Sequence, residues 1–417
     1  GSISPSLALL PSVSLLDLSY NNFSGPLLFF TQPNSSLTYL DLSYNALLSG
    51  DIPLSLILNS PNLQTLRLRQ TGLSGLVPPE LWTHLPALQQ LYITDTWSDS
   101  SPPLLRISPT SFPATANFSF CATIQDFVLF GLDASGASFP SSLGDCQQLQ
   151  TLILSTTGLQ GSIPPSIWQL PHLQYLVIED LDVADTVNNY PNQPPPYKLH
   201  GSLPSTLAFC GAAGSTMEEI YINGINLTGN IPTSIATCTS LQTLYLSITN
   251  LEGSIPSSLG NLSQLQIFIL TTTGLQGSIP PSIWQLPRLQ VLVIVDLNAY
   301  GNMEIHPYEP RPYKLHGSLP STFGFCSAAG STIEHMYIDG INLTGQIPAS
   351  IGTCASLQHL DLSHTSLEGP IPDSLGNLTQ LQALYLQSNN LYLSYDPVYS
   401  PMLPIYRKYD ENPALFK

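Results

Sequence analysis

From Leu265 to Leu289 the chain reads LQIFILTTTGLQGSIPPSIWQLPRL, which contains L-x-x-L-x-L-x-x-T-x-L-x-G-x-I-P, and this pattern starts again every 24 residues or so. Neighbouring copies open at Leu241 and Leu289. Such a period constrains the chain more than any other feature. One copy cannot bury its own apolar face, so the copies must stack on one another to make a core. Leu265, Phe268 and Leu270 have the alternation of a half-buried strand. Gly277, Pro280 and Pro281 then stop regular structure, and Ser282–Leu286 leaves room for one helical turn. Fourteen strand segments begin at Val13, Leu37, Leu63, Leu88, Ile124, Leu149, Leu173, Met217, Leu241, Leu265, Leu289, Ile333, Leu357 and Leu381.

The recurrent L-x-G-x-I-P resembles the plant-type leucine-rich repeat of receptor-like kinases, receptor-like proteins and polygalacturonase inhibitors. The resemblance implies an α/β solenoid: a right-handed superhelix with a parallel concave β-sheet and short (3-10) helices on the convex side. It also implies an asparagine after each strand that bonds backbone groups of adjacent coils. Asn21, Asn45 and Asn389 keep it. Thr71, Thr96, Thr157, Thr249, Thr273 and Thr365 replace it, as do Leu132, Leu181, Ile225, Leu297 and Ile341. A Thr hydroxyl is expected to supply part of that bonding, whereas Leu and Ile have no polar group to offer.

The solenoid is expected over residues 1–391, followed by a Tyr/Pro-rich tail over 392–417. The opening Gly1-Ser2-Ile3-Ser4-Pro5 reads as half a repeat, without the cysteine-bearing cap that the resemblance implies. Insertions fall near 97–107, 182–197 and 298–313, each in a repeat introduced by a Trp (Trp82, Trp168, Trp284). The second and third end alike, Tyr197-Lys198-Leu199-His200 matching Tyr313-Lys314-Leu315-His316 across 116 residues, so the chain contains a duplicated block.

Cysteines fall in pairs, Cys121 and Cys146, Cys210 and Cys238, Cys326 and Cys354, separated by 25, 28 and 28 residues. Each pair occupies neighbouring coils, so sequential disulfides are expected; buried free thiols are the alternative. Bridges imply an oxidising compartment. Seven N-x-S/T sequons, at Asn22, Asn34, Asn117, Asn226, Asn261, Asn342 and Asn377, point to an extracellular or cell-surface chain carrying N-linked glycans. The chain has no initiator Met or signal peptide, as expected of a mature or trimmed product. Hydrophobic residues make up 43% and charged residues 9%, so the chain folds. A formal charge of −17 argues against nucleic acid and anionic membrane as partners, and no apolar run is long enough for a membrane span.

No catalytic or cofactor motif is present, and the chain reads as a non-enzyme without cofactors. His335, His359, Asp361 and His364 form the best titratable group, for which a metal or pH-sensitive site competes with polar decoration of the sheet. Threonine arrays can bind ice, but these sit at the inward-turning position. The stronger candidate is the column between the two leucines of L-x-L: Tyr92, Val128, Ile153, Val177, Tyr221, Tyr245, Ile269, Val293, Tyr337 and Tyr385. Strand alternation turns it away from the core, where it forms an apolar binding stripe flanked by glutamines. The bland account is β-propensity alone. Two functions follow: a structural subunit that assembles head to tail with copies of itself into a fibre, or a recognition ectodomain for a peptide, a glycan or a secreted enzyme.

Overall fold

The computed structural model describes residues 1–4, 6–7, 10, 12–27, 33–95, 104–109, 118–180, 197–211, 215–296, 314–327 and 330–393. Described residues up to Thr228 form one compact unit, and those from Gly229 form another. In the first unit, eight parallel strands follow one another in register: Leu15–Asp17, Tyr39–Asp41, Thr65–Arg69, Gln90–Thr94, Asp126–Asp133, Thr151–Thr157, Tyr175–Asp180 and Glu219–Asn223. The second unit has six: Thr243–Ser247, Ile267–Thr271, Val291–Val295, His335–Asp339, His359–Asp361 and Ala383–Tyr385. Eight and six account for the fourteen strand segments read from the sequence. Each lies on a concave parallel sheet, as the alternation requires.

Alternation builds the core directly. Leu40, Leu66, Leu91, Phe127, Leu152 and Leu176 stack under the first sheet, and Leu244, Phe268, Leu292, Met336 and Leu360 under the second, all fully buried. Each contributes roughly 1.5–3 kcal/mol of burial. Opposite the sheets lie single 3-10 turns, among them Pro165–Gln169, Ser257–Asn261, Pro281–Gln285 and Asp373–Asn377. Each follows an extended proline (Pro164, Pro256, Pro280, Pro372), whose fixed φ ends the preceding segment and admits a short helical start. Trp82, Trp168 and Trp284 fill this convex layer and are buried.

The L-x-G glycines carry a backbone requirement. Gly25, Gly50, Gly75, Gly161, Gly229, Gly253, Gly277, Gly345 and Gly369 have φ between +75° and +95°. A Cβ on Gly75 would also run into the Asp51 carboxylate. Small parallel sheets that the sequence pattern does not announce lie at these glycines: in the first unit Ser24–Gly25 pairs with Leu47–Leu48, and each unit has one larger such sheet. It comprises Gly161–Ser162, Leu199–Ser202 and Asn226–Thr228 in the first unit. In the second it comprises Gly277–Ser278, Leu315–Ser318, Asn342–Gly345, Ser366–Ile371 and Asn390–Leu393. The last strand runs past the expected solenoid end at Leu391. The insertions lie mostly outside the described residues, as do residues 394–417 of the tail.

The asparagine position behaves unevenly. Asn45 is buried; its Nδ2 donates to Leu18 O at 2.9 Å and Leu42 O at 3.0 Å, and its Oδ1 accepts from Phe23 N at 3.1 Å. Asn389 joins Leu362 O and Leu367 N in the same way. Thr365 shares in this, donating to Leu362 O. Thr71 and Thr249 do not: their buried hydroxyls have no hydrogen-bond partner, so the partial replacement expected of threonine is made at Thr365 and not at these two. A hydroxyl on one carbon reaches fewer backbone groups than an amide carrying both donor and acceptor.

Candidate functional site

Three outward columns run along each concave sheet. The predicted stripe is the middle one. Tyr92, Val128, Ile153, Val177 and Tyr221 are register neighbours in the first unit. Tyr245, Ile269, Val293 and Tyr337 are register neighbours in the second, where Asp361 and then Tyr385 follow. These side chains do turn away from the core, but the stripe is not fully open. Most members are half-buried, Val128 is 6% exposed and Tyr385 42%. The flanking columns crowd them from both sides.

One flanking column in the first unit carries the chemistry that the sequence reading missed. It runs Arg69, Thr94, Phe130, Ser155, Glu179, Asn223 in strict register. Arg67 and Arg69 are the only Lys or Arg on the fourteen concave strands. Two residues apart on one strand, they share a face. Arg67 donates to Tyr39 Oη at 3.3 Å and Gln90 Oε1 at 3.0 Å, and lies 3.9 Å from the Asp41 carboxylate. Gln90 in turn donates to Asp126 Oδ2 at 2.9 Å. The Arg69 guanidinium sits 3.9 Å above the centroid of the Tyr92 ring, and Arg67 stands 5.3 Å from the same centroid. Burial, with the Asp126 carboxylate next, pushes the Tyr92 phenol up to about 12, so it stays a neutral donor. Beside this charged group Phe130 is 40% exposed. Cation, aromatic and apolar surface are thus held together on a rigid sheet. The signal was available in R-x-R on a strand, but the middle column drew the reading away from it.

In the second unit the outward surface is more apolar. Ile267, Val291 and Val295 flank Ile269 and Val293. The titratable group gathers only in part. The His335 and His359 rings meet edge to face at 4.9 Å, and Tyr337 Oη lies 2.8 Å from His359 Nδ1. His364 pairs instead with Asp339 at 3.1 Å. Asp361 accepts from Ser363 N at 2.9 Å. Burial raises its carboxyl above the ordinary value, more than the Ser363 hydrogen bonds lower it. Among the described residues no three His, Cys, Asp or Glu side chains converge on one point.

Cys121 and Cys146 form one disulfide and Cys326 and Cys354 another, with Cα atoms 4.4 and 4.5 Å apart; Cys210 and Cys238 are also disulfide-bonded. Among the sequons, Asn261 and Asn377 end convex turns and are exposed, as is Asn22. Asn226 and Asn342 open strands of the small sheets and are half-buried. Asn34 is 7% exposed, and its Oδ1 accepts from the backbone N–H groups of Ser36 and Leu37 at 3.0 and 3.2 Å. Asn117 lies outside the described residues.

Family profiles described as "Leucine rich repeat" match residues 331–391, and residues 36–57 and 240–262. The ectodomain of the Arabidopsis thaliana receptor kinase GASSHO1/SCHENGEN3, solved with CASPARIAN STRIP INTEGRITY FACTOR 2, is 28% identical with a TM-score of 0.56; the alignment covers 90% of this chain and 39% of that one. The plant peptide hormone receptor RGFR1, solved with RGF2, is 26% identical with a TM-score of 0.62, covering 92% of this chain and 56% of that one. Mouse Toll-like receptor 12 is 33% identical over 141 residues, 33% of this chain and 14% of the receptor. The chain thus spans well under two thirds of the length of each.

Proposed function

Since the chain is a leucine-rich-repeat protein with repeats of the plant type, we propose that it acts without catalysis, as an extracellular recognition ectodomain whose concave face takes an extended peptide. One observation carries this reading. The stacked Arg67, Arg69 and Tyr92 are followed along the stripe by the buried Val128 and then the half-open Ile153 and Val177, with Phe130 exposed beside them. An aromatic and arginine anchor on a rigid surface, next to apolar area, is where binding energy concentrates. A peptide lying across the strands would meet one repeat every ~4.8 Å against its own ~3.3 Å per residue, so about three residues span two repeats and its side chains can address the repeats in turn. RGFR1 is described as a peptide hormone receptor and was solved with RGF2, and GASSHO1/SCHENGEN3 was solved with a partner named as a factor, which supports the same reading.

Disulfides and exposed sequons support an oxidising, extracellular setting with N-linked glycans. Among the described residues no helix is long and apolar enough to cross a membrane. Head-to-tail assembly has no comparable support. It rested on the half-repeat Gly1–Pro5 completing the pattern that stops at Leu391, with the tail laid along a neighbour; residues 394–417 lie outside the described residues, and the two plant proteins above are receptors.

The test is selection of short peptides from a random library on the intact chain, followed by calorimetric titration of selected peptides against Tyr92→Ala and Arg69→Ala. Loss of affinity of about tenfold or more in each supports the reading. Peptides that bind both variants as tightly as the parent contradict it.

A further inference from the structure

Four strands from Arg69, the same column carries a second polar centre of opposite sign. Glu179 stands half-buried on Tyr175–Asp180. Its Oε2 accepts from Ser155 Oγ at 2.7 Å, and its Oε1 from Tyr221 Oη at 3.2 Å and Asn223 Nδ2 at 2.9 Å. All three donors are neutral. Strands Thr151–Thr157, Tyr175–Asp180 and Glu219–Asn223 contain no Lys or Arg, and residues 181–196, which follow Glu179, contain none either. The hydrogen bonds fix the carboxylate in place without neutralising it, and a carboxylate has about four lone-pair sites, of which these donors use three.

Asn223 supplies an independent sign. It is 5% exposed, and its Oδ1 has no hydrogen-bond partner. The amide orientation is fixed by chemistry: only the NH2 end can face the Glu179 carboxylate, which leaves the oxygen as an acceptor with nothing to accept. A buried acceptor of this kind calls for a donor, which water or a ligand can bring. An acceptor beside a held, uncompensated carboxylate suits a multi-proton cation.

We propose that Glu179 and Asn223 form a receiving site for the cationic group of a ligand, an ammonium or guanidinium donating to the Glu179 carboxylate and to Asn223 Oδ1. This deepens the peptide reading and rests on it. Arg69 and Glu179 lie four strand spacings apart, ~19 Å, which about six extended residues span. The ligand is then a polarised peptide, its acidic group toward Arg69 and its basic group toward Glu179. Pairing guanidinium with carboxylate fixes orientation as well as strength.

Acetyl-arginine methylamide and its uncharged analogue acetyl-citrulline methylamide serve as probes, titrated into the whole chain and followed by NMR. They test the site without knowledge of the natural ligand, so failure of the peptide selection above would not decide the outcome here. The expected result is that the arginine probe binds about tenfold more tightly than the citrulline probe, and that Glu179→Gln removes the difference. Asn223→Ala, a second variant, reduces it. Equal binding of the two probes to the parent chain overturns the proposal irrespective of how either variant folds. A preference for arginine that persists unchanged in a folded Glu179→Gln chain also overturns it.

Discussion

The Arg69 guanidinium lies 3.9 Å over the ring of Tyr92, one strand away on the same sheet face. This cation–π contact orders a side chain that would otherwise be free to move, and presents it on the concave surface. Arg69→Ala should therefore cost about 0.5–1 kcal/mol of stability, since the pair is only half-buried. Arg69→Lys should recover only part of that, because an ammonium does not stack as a planar guanidinium does. Denaturant midpoints at constant slope check both; a stabilising Arg69→Ala would show that the stack is strained.

Thr272 should be improved by glycine. It leaves the strand Ile267–Thr271 with φ of +47°, is buried, and its hydroxyl has no partner. A β-branched residue is costly in that region. Gly131, Gly224 and Gly340 hold the corresponding place in other repeats, all at positive φ. Thr272→Gly is expected to stabilise the second unit by about 1 kcal/mol, the relief of strain exceeding the entropic cost of glycine. Thermal unfolding measures it, and a lowered midpoint would count against the argument.

Much of this was legible from residue order, and the exceptions have physical causes. Strand positions and buried faces follow from a period of two inside a period near 24. The small second sheets were not legible, because two residues such as Gly161-Ser162 carry no alternation. The repeats with insertions hid a device too. Where other repeats turn through Tyr20, Tyr44 or Gln70, these place buried Asp95, Asp180 and Asp296. Asp95 Oδ2 accepts from the N–H groups of Leu104 at 2.6 Å and Leu105 at 3.1 Å, in the last part of its insertion. Residues 96, 181 and 297 stand at the asparagine position of the repeat, which hides the aspartates one residue before them. The polarised column escaped notice because the outward columns share one parity. Pattern alone does not say which of them binds, and charge had to choose between them.

Asp361 sets a pH dependence. Its folded carboxyl is raised, chiefly by burial, so the native state holds its proton to higher pH than the unfolded chain does. Native binds more protons in that window, and stability falls as pH rises through it. Asp361→Asn keeps an acceptor for Ser363 and removes the charge. The variant should melt higher than the parent at neutral pH, and the gap should close below about pH 3, where both states are protonated. A gap that persists unchanged at low pH would assign the effect to packing.

Glycan occupancy should follow exposure rather than motif. Secreted from a eukaryotic host, the chain is expected to carry glycans at Asn261 and Asn377, which project from convex turns. Asn34 is expected to stay unmodified, since it is buried and its side chain closes a turn onto Ser36 and Leu37. Glycopeptide mass spectrometry reads each site, and an occupied Asn34 with bare Asn261 would reverse the assignment.

The central claim is that the concave face of the first unit holds the ligand. Hydrogen–deuterium exchange of the whole chain, with and without a saturating selected peptide, tests it most directly. The account predicts slowed exchange in the strands from Thr65–Arg69 to Tyr175–Asp180, with the convex turns unchanged. Protection confined to the convex turns, or to the second unit, would contradict it.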